Sequence, residues 1–146
     1  ILADIDRFKD INDRYGHPVG AKIIQIIADI FQSSVRGGMF VARTGGEEFA
    51  LIVEGASEDA TYEIAERIRM LIEQTPFSSS QTGANYGTVT VSMGICMASE
   101  ADGPEDLYTK ADRALYRSKV SGRNRVTRHS TMAGRAGKNW LLYKKD

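Results

Sequence analysis

Two glycines and two adjacent carboxylates stand together at residues 43–49, Arg-Thr-Gly-Gly-Glu-Glu-Phe. Gly45 and Gly46 carry no Cβ, so the backbone there can turn tightly and a bulky anionic ligand can lie close to it. Glu47 and Glu48 follow at once and offer oxygens to a hard cation. A Gly-Gly turn alone most often only closes a hairpin. A second acidic run at the start of the chain, Asp4-Ile5-Asp6, raises its significance. Two carboxylate clusters and a glycine turn point to a metal-dependent phosphate site.

Such groups need strand ends to hold them. Residues 39–42 (Met-Phe-Val-Ala) and 49–53 (Phe-Ala-Leu-Ile-Val) are short apolar runs, which predict a β-hairpin with the acidic glycine turn at its tip. Ile1 to Ile5 is an apolar strand that breaks into acids. Lys9 to Tyr15 forms a short helical stretch closed by Gly16, and Pro18 opens a longer helix. Ile23, Ile24, Ile27, Ile30 and Phe31 recur in it at helical spacing up to about Val35. Ser57 is a good N-cap for the next helix, which buries Ile64, Ala65, Ile68, Leu71 and Ile72 and stops before Pro76. Ser78 to Gly87 is a polar loop. Val89, Val91, Met93, Ile95 and Met97 then alternate with Thr88, Thr90, Ser92, Gly94 and Cys96, a half-buried strand. Pro104 opens a last helix to about Val120, ended near Gly122. The order β-α-β-β-α-β-α predicts an α+β fold of the ferredoxin-like split βαβ (βαββαβ) type, an antiparallel sheet with helices on one face.

Composition narrows the class. A chain of 146 residues fits one domain with a single sizeable core. Its formal net charge of zero implies no general attraction to nucleic acid or to an anionic membrane surface. The single cysteine, Cys96, has no partner for an internal disulfide, which fits a reducing compartment; it reads as a small buried hydrophobe. Neither a membrane-spanning run nor a secretory signal is visible, so a cytoplasmic location is expected. Residues 1–127 read as the folded domain and 128–146 as a basic tail, with five Lys or Arg against one Asp. Trp140-Leu141-Leu142-Tyr143 either docks as a strand or belongs to a mobile terminus.

Four motifs occur in order: Asp4-Ile5-Asp6-Arg7-Phe8-Lys9-Asp10-Ile11-Asn12-Asp13, then Gly16-His17-Pro18-Val19-Gly20, then Arg43 to Phe49, then Ser121-Gly122-Arg123-Asn124. Together they resemble the GGDEF domain of diguanylate cyclases, which join two GTP molecules into cyclic di-GMP, a bacterial second messenger. The resemblance covers residues 1 to about 127 and implies an architecture related to nucleotide cyclases and polymerase palms. It implies that Asp4, Glu47 and the Ile5 carbonyl hold Mg²⁺, or Mn²⁺ in its place, with Glu48 a secondary acidic contact. Glu47 is the implied proton acceptor and Lys9 the implied transition-state lysine. Lys119 and Arg123 are implied contacts to the β- and γ-phosphates. Gly45 and Gly46 let the nucleotide pass, and Asn12 and His17 match positions that meet guanine and ribose. For His17 a purely local hydrogen bond at a helix start is the competing reading.

Three departures from the family pattern stand out. The residue after Gly20 is usually an aspartate that accepts from the guanine N1 and N2 groups; here it is Ala21. A methyl group accepts nothing, so weaker GTP binding and a relaxed choice between GTP and ATP are expected. Second, the product-binding Arg-x-x-Asp of many relatives is Arg36-Gly37-Gly38-Met39, so product inhibition there is expected to be weak or absent, whether or not Arg67 matches a supporting arginine. Third, the family's first helix normally precedes the first strand, and without it one sheet face is expected to be partly uncovered. A sensory domain is expected upstream. Two function classes follow: an enzyme working as a homodimer, each copy presenting one GTP, or a non-catalytic nucleotide-binding regulatory module. The intact acids and cations favour the enzyme.

Overall fold

The computed structural model describes residues 1–132. In chain order these form β1 (Leu2–Ile5), α1 (Phe8–Tyr15), α2 (His17–Ser34), β2 (Met39–Arg43), β3 (Glu48–Val53), α3 (Glu58–Gln74), β4 (Val91–Ile95), α4 (Pro104–Val120) and β5 (Val126–Arg128), with 3₁₀ turns at Ala98–Glu100 and His129–Met132. The sheet order is β2-β3-β1-β4-β5. The first four strands pair antiparallel, as the split βαβ plan requires, and β5 adds parallel to β4.

Local signals work largely as expected. Ser57 caps α3 by accepting from the Ala60 amide at 3.1 Å. Proline stands in the first turn of both α2 and α4. Side chains from α2 (Ile23, Ile27, Phe31) and α3 (Ala65, Ile68, Ile72) close over Ala3, Ile5, Phe49 and Leu51 as the main core. Leu71 departs from expectation and is exposed. The inward stripe of α3 runs Thr61, Ala65, Ile68, Ile72, and Leu71 falls off its edge.

Helices on one face is the expectation that fails. Leu2 and Cys96 pack with Ala111 and Leu115 of α4 in a second core, so α4 covers the opposite face from α2 and α3. Strand β4 is therefore buried on both sides at all five residues rather than half-buried, and it is shorter than the expected 88–97 run. Val91, Met93 and Ile95 enter the main core, while Gly94 faces α4. A Cβ on Gly94 would lie 2.2 Å from the Leu115 amide nitrogen and 2.3 Å from the Ala111 carbonyl oxygen. Glycine is what lets the helix backbone sit directly on the strand. On this face Phe40 and Ile52, paired across the β2–β3 hairpin, are exposed.

Strand β5 crosses the expected boundary at residue 127. Arg128 lies 4.2 Å over the Tyr62 ring and meets Asp59, and Ser130 donates to Glu58, so residues 128–132 belong to the folded body. The Trp140 to Tyr143 segment lies outside the described residues.

Candidate active site

Strand β1 delivers Asp4 opposite Glu48 of β3, and the Ile5 amide donates to the Glu47 carbonyl at 3.1 Å. These bonds bring Asp4, Ile5, Glu47 and Glu48 to one sheet end. From across the site the last turn of α4 supplies Lys119, whose Nζ donates to Asp4 Oδ2 at 2.6 Å. Burial pushes the Asp4 carboxyl above its ordinary value, against the pull of Lys119, and Glu48 and Asp6 add to the rise. Glu47 is likewise raised, by burial first and then by Asp4. Three acids that disfavour one another's charge make a site that gains from a cation. The Lys119 ammonium holds that place beside Asp4, so the donor set suits a hard divalent ion.

Sequence reasoning missed two supports of this cluster. Tyr108, on the first half of α4, donates its hydroxyl to Glu48 Oε1 at 2.6 Å, and its own ionisation is pushed strongly upward by burial and by that bond. The two residues are sixty apart in the chain, and no local pattern marks the pair. Arg43 spans the turn: Nε reaches the Gly45 and Gly46 carbonyls at 3.1 Å and Nη2 reaches Gly46 at 2.7 Å. Neither Gly45 nor Gly46 adopts a positive φ. Among the described residues a Cβ on Gly46 would meet nothing within 4 Å, while one on Gly45 would touch Glu48 Cβ at 3.4 Å.

The nucleotide-facing candidates lie on α1 and α2. Asn12 folds back over Gly20, where a Cβ would come within 1.9 Å of Asn12 Oδ1. That oxygen is buried and has no hydrogen-bond partner among the described residues. Gly20 is thus the residue that permits the Asn12 placement. Lys9, His17 and Ala21 are exposed. No hydrogen bond joins Lys9 or His17 to the acidic cluster among the described residues. Arg36 donates to the Ser33 and Val35 carbonyls and so ties down the end of α2.

Arg123 sits in the turn between α4 and β5, and it and Asn124 hold left-handed backbones at φ 64° and 46°. Strain of this kind persists only when the surroundings over-determine it. The Asn124 amide donates to Asp6 Oδ2 at 3.0 Å, its side-chain amide donates to Glu73, and its Oδ1 accepts from Arg69 at 2.8 Å. Asp6 in turn accepts from Thr90 at 2.7 Å and from Ser92 at 2.6 Å. This network anchors the backbone that carries Arg123.

Known proteins agree with this geometry. The family profile described as "Diguanylate cyclase, GGDEF domain" matches residues 1–125. Diguanylate cyclase VdcA of Vibrio cholerae is 43% identical over 126 residues, 86% of this chain and 37% of the relative. Response regulator PleD of Caulobacter vibrioides is 41% identical over 127 residues, 86% of this chain and 28% of the relative. The chain thus spans little more than a third of these curated relatives at most. Among solved structures, the GGDEF domain of DgcB from Caulobacter crescentus in complex with c-di-GMP superposes with a TM-score of 0.83 at 34% identity, covering 88% of this chain and 75% of that one. The active GGEEF domain of a Vibrio cholerae diguanylate cyclase does so at 0.74 and 32%, covering 88% and 80%. A profile match over most of the chain, joined to these relatives and to the acidic cluster, places the chain in the diguanylate cyclase GGDEF domain family.

Proposed function

We propose that this chain is the catalytic half-site of a diguanylate cyclase, and that two copies meet to condense two GTP into cyclic di-GMP. The convergence of Asp4, Glu47 and Glu48 at one sheet end, with a lysine ammonium 2.6 Å from Asp4, carries this reading. Asp4, the Ile5 carbonyl, Glu47 and Glu48 would hold Mg²⁺, with Mn²⁺ as a substitute. The bound ion's chemistry is to neutralise charge on the phosphates and lower the pKa of the attacking 3′-hydroxyl. Glu47 takes the proton of that hydroxyl as its oxygen bonds to the α-phosphorus of the other GTP and diphosphate leaves. Lys119 turns from Asp4 to the phosphates, where Arg123 and Lys9 join it as charge-assisted donors.

Asn12 Oδ1, buried without a partner among the described residues, supports a role for that side chain against the guanine or ribose. Ala21 is exposed and offers no acceptor to the guanine edge. Its cost in GTP affinity is roughly 1.5–3 kcal/mol, a factor of about 10 to 150, and discrimination against ATP falls with it. Product inhibition through Arg36 is weak, because its guanidinium closes α2 and Met39 stands where an acid would be needed. A non-catalytic nucleotide-binding module is the second reading, and Ala21 is what favours it.

Mass spectrometry of products decides between them, with Mg²⁺ or Mn²⁺ and GTP, ATP or both. Cyclic dinucleotide from the parent, lost in Glu47→Ala, is the expected result. Turnover only in Ala21→Asp would make residue 21 the lesion in a sound site. GTP binding without turnover in either protein would overturn the cyclase reading.

A further inference from the structure

Strands β4 and β5 run parallel with Ile95 opposite Arg128, so the next residues along them, Cys96 and His129, emerge side by side. The 3₁₀ turn after β4 folds Glu100 back between them. Glu100 Oε1 lies 3.4 Å from His129 Nδ1, and Oε2 lies 4.0 Å from Cys96 Sγ. One donor atom from each residue falls within 4.8 Å of the other two. We propose that Cys96, Glu100 and His129 form a three-ligand site for a divalent transition ion, zinc(II) above all, separate from the acidic cluster.

The ligand chemistry points to that class of ion. A thiolate, an imidazole and a carboxylate together suit zinc or cobalt, whereas magnesium takes oxygen ligands almost alone. Tetrahedral zinc, with bonds of 2.0–2.3 Å, holds its ligands roughly 3.3–3.8 Å apart. The donor atoms, within 4.8 Å of one another, must draw together by up to about 1 Å, a shift of side-chain size. Cys96 is buried, while Glu100 and His129 are each about a quarter exposed, which leaves a fourth position toward solvent. The nearby Lys110 ammonium is engaged by the Glu100 carbonyl at 2.6 Å and by Asp106 at 3.0 Å, so it does not fill the carboxylate. Glu100 Oε2 also accepts from the Met97 amide at 3.1 Å, which fixes the carboxylate's orientation.

This site is distant from the phosphate chemistry. Ser92 pairs with Asp4, and Cys96 lies four residues further on, just past the end of β4, roughly 13 Å at strand rise. A free thiol is mostly protonated near neutral pH. The ion therefore displaces the thiol proton: the S–H bond breaks, a sulfur–metal bond forms, and one proton leaves to buffer per ion bound. The bound ion would tie the segment after β5 to the end of β4.

Cobalt(II) titration of the parent chain tests this without reference to turnover. One Co²⁺ per chain is expected to produce a thiolate-to-cobalt charge-transfer band in the near ultraviolet, displaced by Zn²⁺, with release of about one proton. The band should survive Glu47→Gln, which alters only the acidic cluster. It should vanish in Cys96→Ser, and His129→Ala should weaken binding at least about tenfold. No band in the parent, a band that persists in Cys96→Ser, or parent affinity in His129→Ala would each overturn the site. Should Cys96→Ser fail to fold, the partly exposed His129→Ala and the parent's proton release decide the matter.

Discussion

Asp4 and Asp6 stand two residues apart and both are buried, yet their surroundings differ in kind. Asp6 accepts from two hydroxyls and a backbone amide, each 2.6–3.0 Å away. Its neighbourhood is made of donors. Asp4 faces Glu48 and lies close to Glu47, with Lys119 as its cationic counterweight, and its carboxyl is raised. Its neighbourhood is made of competitors. One carboxylate is built into the fold as an anchor, while the other is buried among like charges with a lysine beside it. The difference teaches that a buried acid is a candidate for chemistry when the protein leaves its charge poorly accommodated.

Substitutions on the two sides should separate activity from stability. The largest effect is expected from Glu47→Gln: turnover falls by about 10²–10⁴-fold, measured as cyclic dinucleotide formed per minute. The same change should not destabilise the metal-free chain. Asp4 and Glu47 hold protons in the fold at pH values where the unfolded chain, near 3.8 and 4.5, has lost them. Their contribution to folding stability therefore declines as pH rises above those values. The melting temperature of Glu47→Gln minus that of the parent should then grow between pH 4 and pH 7, and a difference that shrinks would break the contrast. Asp6→Asn should instead cost stability. It costs roughly 1.5–3 kcal/mol in urea unfolding, because at least one donor to the carboxylate loses a charged acceptor. Loss of turnover should follow only as the Arg123 turn loosens, so an Asp6→Asn protein of parental stability would refute its role as an anchor.

Smaller effects sharpen the picture. Ala21→Asp should tighten GTP binding by about 10- to 150-fold and leave ATP unimproved, read by calorimetry with both nucleotides. Tyr108→Phe removes one hydrogen bond to Glu48, worth about 1.5–3 kcal/mol at most for a charged acceptor and less at this exposed site. A fall in kcat of a few-fold, with KM for GTP little changed, would mark Tyr108 as a positioning residue. An unaltered kcat would reduce the contact to surface packing.

Much of the site could be read along the chain, and the reasons are local. The acids Asp4, Glu47 and Glu48, the cations and the glycine turn lie in short motifs whose residue types declare their chemistry. Ser57, Pro18 and Pro104 mark helix starts because caps and missing amides act within one turn. Partners contributed by distant segments were not legible. Nothing in the helix pattern singles out Tyr108, and Asn124 was one letter of a motif without a task. Gly94 looked like the polar half of an alternating strand until α4 proved to lie against it. Leu71 was misplaced because periodicity locates the centre of an apolar stripe better than its edge.

The sequence by itself determined the order of strands and helices, the chemical types gathered at the hairpin, and the substitution at Ala21, all of them properties of neighbours a few residues apart. Only the tertiary structure decided that helices cover both faces and that β5 closes the sheet. It alone decided, too, that Asp6 is an anchor while Asp4 belongs to the acidic cluster. The last of these outcomes rests on contacts between groups 84 to 118 residues apart, such as Thr90 and Asn124 on Asp6 and Lys119 on Asp4. No spacing along the chain encodes the donors that a buried carboxylate will meet, because they arrive only when the core closes around it.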